Sequence, residues 1–564
     1  MTRSTLLRLA LPLALTAAAA AQSTLVDAMS QELARNFQAL KDKAEPPPYF
    51  LSYEITQEDA YNVSASLGAI DSTGGGKSRT LDVSVRVGSP KLDNYHRVRG
   101  AGGGAAQFTS GSQITYEDNV NSIKHRLWEE TDRAYRAAAE RLIRIETNTQ
   151  VKVAEEDASA DFSSAPREVS LAAPVKLKFD KEEWTGRIRK LSERFRNYPG
   201  VLTSQVSVSV QAETRYFVNT EGTRLAFGRG YARIFISASA KAADGADVAN
   251  FQSFEAEDAD HLPDDKTVLA GIDRIGKDVT ALLSAPEAEP FVGPAILSGS
   301  AAGVFFHEIF GHRIEGHRQK DENEGQTFTK SVGTEVLPSF LSVIFDPTRH
   351  SAAGEDLFGW YDYDDEGVKA KPMTAVENGV LKTFLMSRSP IAGFGQSNGH
   401  GRRQPGYEVV SRQSNLIVES AKAVSDARLR EMLIEEIKRQ NKPYGLYFRD
   451  ITNGFTTTSR AGLQAFSVVP VIVYRVYADG RPDELVRGAD IVGTPLASFA
   501  KILATGDKPE VFNGYCGAES GSIPVSAVSP AILVSEIEIE KKAKANDRPP
   551  LLPEPASSEK GGGL

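Results

Sequence analysis

Cysteine is almost missing from this chain: Cys516 is the only one in 564 residues. A lone cysteine cannot close an internal disulfide, so it is either a small buried thiol or a group protected from oxidation by ligating a metal. Long apolar runs are also missing beyond the first twenty residues. No later segment approaches ~18 uninterrupted apolar residues, the length a membrane-spanning helix needs. There is no block of lysine and arginine, and the formal net charge is −9, so no nucleic-acid partner is expected. No internal repeat is present.

What is there begins with an export signature. Arg3 and Arg8 give a basic start, residues 9–15 an apolar centre, and Ala19-Ala20-Ala21 a small-residue cleavage site before Gln22. Pro12 and the alanines make this stretch too short and weak to anchor. The expectation is a signal peptide over residues 1–21, cleaved to leave an exported, periplasmic or secreted protein with no membrane span. No cysteine follows it, which argues against a bacterial lipoprotein.

Downstream, Leu25, Met29, Leu33, Phe37 and Leu40 recur at helical spacing until Pro46-Pro47-Pro48, and Ile123, Leu127, Thr131, Ala134, Ala138 and Leu142 mark a second helix from 120 to 145. Leu81, Val83, Val85 and Val87 alternate as in a strand with one covered and one wet face. Alternation returns over 201–240 around a turn at Asn219-Thr220-Glu221-Gly222. Val268, Ile272, Ile275, Val279 and Leu282 form another helical face, ending before a linker between Pro286 and Pro290. After that linker come short strands with hairpin signals at Asn378-Gly379 and Asp479-Gly480. Thr494 as cap, Pro495 and Gly506 frame one short helix. The expected architecture is α+β: an N-terminal region of amphipathic helices and sheet over 22–290, then a β-rich, barrel-like domain over 291–545. The tail from 546 to 564 lacks core-forming residues and is expected to be disordered.

Three motifs are set aside. Gly76-Lys77-Ser78 ends like a phosphate-binding loop, but Asp71 occupies the first glycine position, so a hairpin turn is expected. Gly100, Gly102 and Ala105 match a dinucleotide fingerprint in letters without a helix after them. Asp362, Asp364, Glu366 and Gly367 imitate a calcium loop, yet its twelfth position is Met373, so a solvated acidic turn is expected.

Three of eight histidines fall within eleven residues: His307, His312 and His317. They follow an apolar helix over 301–306, capped by Ser298 or Ser300. Two imidazoles and a thiolate could hold zinc with one position open for water, and Glu308 could serve as general base. The common zinc motif spaces its histidines four apart. Here the gap is five, which on a straight helix turns the side chains about 140° apart. Gly311 therefore predicts a broken or kinked helix. Glu315 and His317 nearly complete an inverted zinc motif, but Gly316 is one residue too many; both are expected around the metal or in the substrate cleft.

The stretch His-Glu-Ile-Phe-Gly-His-Arg-Ile-Glu-Gly at 307–316 resembles the signature of the TldD/PmbA family of metallopeptidases. So do Asp364-Asp365-Glu366-Gly367, Val376-Glu377-Asn378-Gly379, Asn398-Gly399-His400-Gly401-Arg402-Arg403, Val486-Arg487-Gly488-Ala489, and Tyr515-Cys516-Gly517 followed by Ser522-Ile523-Pro524-Val525. The resemblance is ordered from 291 to 540 and loose before it. It implies one zinc per chain held by His307, His312 and Cys516, Glu308 as the base, and hydrolysis of peptides or unfolded chains. His400, Arg402 and Arg403 join Glu315 and His317 as candidates around the metal or in the cleft. The family also implies a dimer with enclosed active sites, either a homodimer or a heterodimer with a paralogue. Some members lack the metal residues and partner active ones; this chain retains all of them. Two departures stand out: the best-known members are cytoplasmic, and His317 stands where an acidic residue is expected. The rival readings are an exported scaffold or binding protein with structural zinc, and a zinc-dependent hydrolase of small amides.

Overall fold

The computed structural model describes residues 7–97, 111–149, 157–460, 466–493, 498–542 and 550, with side chains from Leu25 onward other than 148 and 149. Helix α1 (Leu7–Lys43) stops before the prolines, and α2 (Val120–Thr149) starts where its periodicity predicts and runs about one turn past 145. Both bury the expected stripe. Leu25, Met29 and Leu33 from α1, with Ile123, Leu127 and Leu142 from α2, pack on Leu81, Val83, Val85 and Val87. Among the described residues no helix is long and apolar enough to cross a membrane.

Those valines belong to a strongly antiparallel sheet. Strands β1 (Pro48–Ser66) and β2 (Ala69–Ser89) form a long ribbon; β1 also pairs with β3 (Thr203–Asn219), β3 with β4 (Arg224–Lys241), and β4 with β5 (Asp247–Ala256). The far half of the sheet is covered by α3 (Lys181–Ser192) and α4 (Asp265–Ser284), whose Ile188, Leu191, Ile272, Ile275 and Val279 meet Val206, Val208, Ile234 and Ile236.

The second half builds a different sheet. Strand β6 (Phe291–Leu297) leads into helix α5 (Gly299–Ile309), and β7 (Gly445–Thr456), β8 (Phe466–Val476), β9 (Ala489–Gly493), β10 (Ile502–Ala518) and β11 (Gly521–Lys541) follow. Strand β6 pairs with β7, β7 with β8, β8 with β9, β9 with β11, and β11 returns to β6. Five strands thus close a barrel, so no edge remains within that ring. The α+β reading with a barrel-like second half holds. Asn378 (φ 48°) and Gly379 (φ 82°) both take the left-handed conformation that their hairpin turn requires.

Four local expectations need correction. The face of β2 opposite the valines is not wet. Asp82 and Arg86 are buried there; Asp82 accepts the Gly406 N–H at 3.0 Å, and Arg86 lies 2.6 Å from Asp93. Polar alternation here marks a buried ionic seam against the second half of the chain, continued by Arg403–Glu54 at 3.0 Å, Arg388–Glu221 at 2.8 Å and the Arg215–Asp365 pair. Alternation reports two unlike faces and does not say what covers the polar one.

The second correction concerns Gly76-Lys77-Ser78, which lies inside β2 opposite residues 58–60, while the turn sits at Leu67 and Gly68. Third, the acidic stretch at Asp364 is not solvated. Asp364 is buried and accepts N–H groups of Glu366, Val368 and Gly401; burial, then the Glu366 carboxylate, push it up to about 8. Fourth, Gly506 does not follow a helix: it lies within β10. Thr494 and Pro495, the glycine-rich stretch at 100–105 and the tail from 551 fall outside the described residues.

Candidate metal centre

Every residue from Ala301 to Ile309 is buried, so α5 is an interior helix, apolar on all sides until His307 and Glu308. Ser298 caps it, accepting the Ala301 N–H at 3.2 Å, and Phe305 packs edge-on against Phe466 and Phe499. The helix ends at Ile309, and Gly311–Ile314 continue as a tighter 3-10 turn. That break leaves the last carbonyls without helical partners. Buried side chains supply them: Gln413 Nε2 donates to His307 O at 3.2 Å, and Arg313 Nη1 to Glu308 O at 3.1 Å and Ile309 O at 3.2 Å. A guanidinium at a helix C-terminus also meets the negative end of the dipole.

The bend brings the two imidazoles together across the five-residue gap, ring centres 5.0 Å apart and nearly perpendicular. Cys516, near the end of β10, completes the set. Its Sγ lies 3.2 Å from His307 Nε2 and 3.3 Å from His312 Nε2. Two ligands sharing a tetrahedral zinc stand about 3.5 Å apart by the usual Zn–N and Zn–S lengths, so the three atoms fit one small ion. These three residues form the sole such cluster among the described residues, and all are buried. Burial alone would push the Cys516 thiol up, but the imidazoles of His312 and His307 and the Arg412 guanidinium outweigh it and hold the thiol well below its ordinary value. A thiolate is the form that binds metal.

Glu315 fixes the second imidazole. It is fully buried, 3.3 Å from His312 Nδ1, and tied to Arg318 Nε at 2.8 Å. Against burial, His312, Arg318 and Arg412 bring its carboxyl down to about 2. A carboxylate on the far nitrogen orients a ligating histidine and sets its tautomer. Arg412, also fully buried, donates to Cys516 O at 2.7 Å and to Ser520 Oγ at 2.7 Å, pinning the turn that carries the thiol. His317 is one step further out: it pairs with Glu519, which also takes Arg318 at 2.8 Å.

The donors open onto a cleft of ≈ 600 Å³ lined by His307, Glu308, His312, Cys516 and Glu519, with Phe455 and Tyr515 exposed at its walls. Glu308 has no side-chain hydrogen bond among the described residues, and it lines the same cleft as the two imidazoles and the thiol. Strand β7 passes so close that a Cβ on Gly454 would stand 2.3 Å from Glu308 Cγ. The other three candidates lie elsewhere. His400 is buried between Asn398 and Ser414, burial lowers it to about 3, and it lines no part of this cleft. Arg402 and Arg403 line a separate pocket. Arg313 lies inside the quoted 307–316 stretch without a role read for it, while Arg412, Gln413 and Glu519 are about a hundred residues or more from the helix they serve, where no spacing rule finds them.

Gly311 has a different reason from the one its sequence context suggests. Its φ is not positive; instead, a Cβ there would stand 2.0 Å from Gln413 Oε1 and 2.3 Å from its Cδ. Gly311→Ala is therefore expected to displace the amide that holds His307 O and to weaken zinc binding ~10-fold or more, the scale for disturbing groups that orient ligands. Adding Gln413→Ala removes the clash, so Gly311→Ala should cost much less in that background. Equal losses in both backgrounds, measured by competitive zinc titration, would show that the contact is irrelevant.

Comparison with known proteins agrees with this geometry. Residues 292–541 match the PmbA/TldA metallopeptidase C-terminal domain. A metalloprotease of Methanocaldococcus jannaschii is 30% identical over 231 residues, 41% of this chain and 47% of that protein. A zinc metalloprotease TldD homolog of Saccharolobus solfataricus is 27% identical over 258 residues, 45% of this chain and 53% of that one. The chain thus spans about half the length of these curated relatives. TldE from Thermococcus kodakarensis superposes with a TM-score of 0.59 at 14% identity, covering 90% of this chain and all of its own. A Thermotoga maritima protein whose name refers to modulation of DNA gyrase does so at 0.61 and 16%, covering 90% and 99%. At such identities these two structures share the fold alone.

Proposed function

This chain belongs to the TldD/PmbA family through its C-terminal domain, and from that premise we propose that it is a zinc-dependent peptidase acting on peptides or unfolded polypeptides. The observation that carries the reading is one cleft holding two imidazoles, a thiolate and a carboxylate free of other bonds. His307 Nε2, His312 Nε2 and Cys516 Sγ would hold the ion. Zinc in such a set supplies Lewis acidity, acidifying water and polarising a carbonyl. Glu308 takes the proton of the attacking water and delivers it to the leaving amine nitrogen. Glu315 keeps His312 oriented, and Arg412 keeps the Cys516 turn in place.

Two features speak against the rivals. Structural zinc is almost always held by four protein ligands, and three converge here among the described residues. A small amide would need no more than the metal corner, whereas this cleft extends past two exposed aromatics suited to gripping side chains along a chain. The test is digestion of an unfolded polypeptide and of small acyl amides, products read by mass spectrometry. Peptide bonds should be cut, cutting should stop after chelation, and about one zinc per chain should restore it. Zinc-loaded protein that turns over nothing would favour the binding role, and turnover of small amides alone the other enzyme.

A further inference from the structure

A second pocket, ≈ 350 Å³, lies between the N-terminal sheet and the C-terminal domain, and Tyr515 lines both it and the metal cleft. Its volume falls within the range of small-ligand sites, roughly 300–1,000 Å³. Of the carboxylates in its walls, Asp362 is exposed to solvent and the other four are engaged. Arg215 takes Glu213 at 3.0 Å and Asp365; Asp364 accepts backbone N–H groups; Glu58 accepts Gln211 Nε2 at 3.0 Å.

Two cations are less tightly held, and one of them, Arg402, has no carboxylate partner among the described residues. Arg229 donates Nη1 to Phe358 O at 3.0 Å and meets Glu213 only at 3.8 Å. Arg402 is buried at 5% exposure and lies over the Tyr361 ring, and its Nη1 is bound by Gln413 O at 2.7 Å and Pro524 O at 2.9 Å. Among the described residues no carboxylate lies within ion-pair distance of Arg402, and its Nε and Nη2 make no hydrogen bond. Buried guanidinium groups are rarely left this way. Burial brings Arg402 down to about 9, opposed by the Tyr361 hydroxyl and helped by the nearby Arg229, Arg215 and Arg412.

We propose that this pocket binds a carboxylate of the peptide substrate, with Arg402 as the positioning residue that receives it through Nε and Nη2. The inference rests on the peptidase reading, because the shared wall at Tyr515 makes the pocket a continuation of the cleft. The group received is a free carboxyl terminus or an Asp or Glu side chain. In the first case the enzyme cuts near the ends of chains. Arg402 also holds the backbone of Gln413, so its loss could act through structure alone; selectivity between substrates is the readout that a structural role would not move.

The experiment uses one peptide without acidic side chains in two forms, free acid and C-terminal amide, and the amide again with Glu or Gln near its end. kcat/KM is measured for the zinc-loaded wild type, Arg402→Gln and Arg402→Lys. A charge-assisted bond to a buried cation predicts at least ~10-fold preference for the carboxylate-bearing member of a pair. Arg402→Gln should bring the ratio near one, and Arg402→Lys should restore part of it. Preference in the acid and amide pair assigns the terminus; preference in the Glu and Gln pair assigns a side chain. Equal cleavage of all four by wild type overturns the proposal while leaving the peptidase reading intact, and needs no variant to fold. If wild type cleaves none, the peptidase reading has failed, and anisotropy of the same labelled peptides on zinc-loaded Glu308→Gln protein decides the pocket: equal affinities overturn it.

Discussion

Glu308→Gln should keep its zinc and lose at least ~100-fold in kcat on peptides, the lower end for removing a general base. On a helix, Glu308 is rotated about 100° from His307, so the two side chains cannot occupy the same position around the ion. The imidazole turns to Cys516, and the carboxylate is left in the cleft without a hydrogen bond. Glutamine preserves its volume, which matters because Gly454 leaves no room beside the Glu308 stem. What it removes is the capacity to take a proton from water and return it to the amine. Since the ligands are untouched, metal content by elemental analysis should match the parent. Near-normal cleavage by the glutamine variant would assign the proton transfer to another group and sink this mechanism.

How much of this was readable beforehand depended on whether the cause was local. The helical faces of α1, α2 and α4 were legible because each repeats every three or four residues, and the structure buries the same residues except Phe37 and Leu40 of α1, which are half-buried. The pair His307 and His312 was legible as chemistry, and its spacing correctly implied that the helix must break. The reason for Gly311 was not legible, because it is the approach of Gln413 from another part of the chain. The same holds for Asp82, Arg86, Asp364 and Asp365. Each reads as a solvated charge, and each is buried where the two halves of the chain meet. Local polarity states what a side chain needs, and only the tertiary fold states whether water or a partner provides it. Arg402 and His400 share one family-like stretch in the sequence, yet the two diverge: His400 is enclosed by Asn398 and Ser414, while Arg402 reaches a pocket.

Removal of the thiolate by Cys516→Ala should lower zinc affinity at least ~100-fold, and peptide cleavage at fixed zinc should fall with it. Structural zinc sites with four protein ligands bind with apparent energies of about 10 kcal/mol or more, so one ligand is taken to represent at least ~2.5 kcal/mol. The loss should exceed that share's simple deletion, because Cys516 is also the anion that both imidazoles share, 3.2 Å from His307 and 3.3 Å from His312. Without it, His312 keeps only Glu315, and the cluster no longer presents a negative charge to a divalent ion. The fold itself should survive. The thiol packs with Ile523 and Val525 in a small group apart from the main cores, and its strand stays paired along β11. Thermal unfolding of the metal-free forms separates the two effects: parent and variant should melt within a few degrees of each other, while their zinc-loaded forms diverge. A Cys516→Ala protein that holds one zinc per chain as tightly as the parent would leave the two histidines with some other third ligand. The geometric case for a two-imidazole, one-thiolate centre would then fail even if the enzyme is a peptidase.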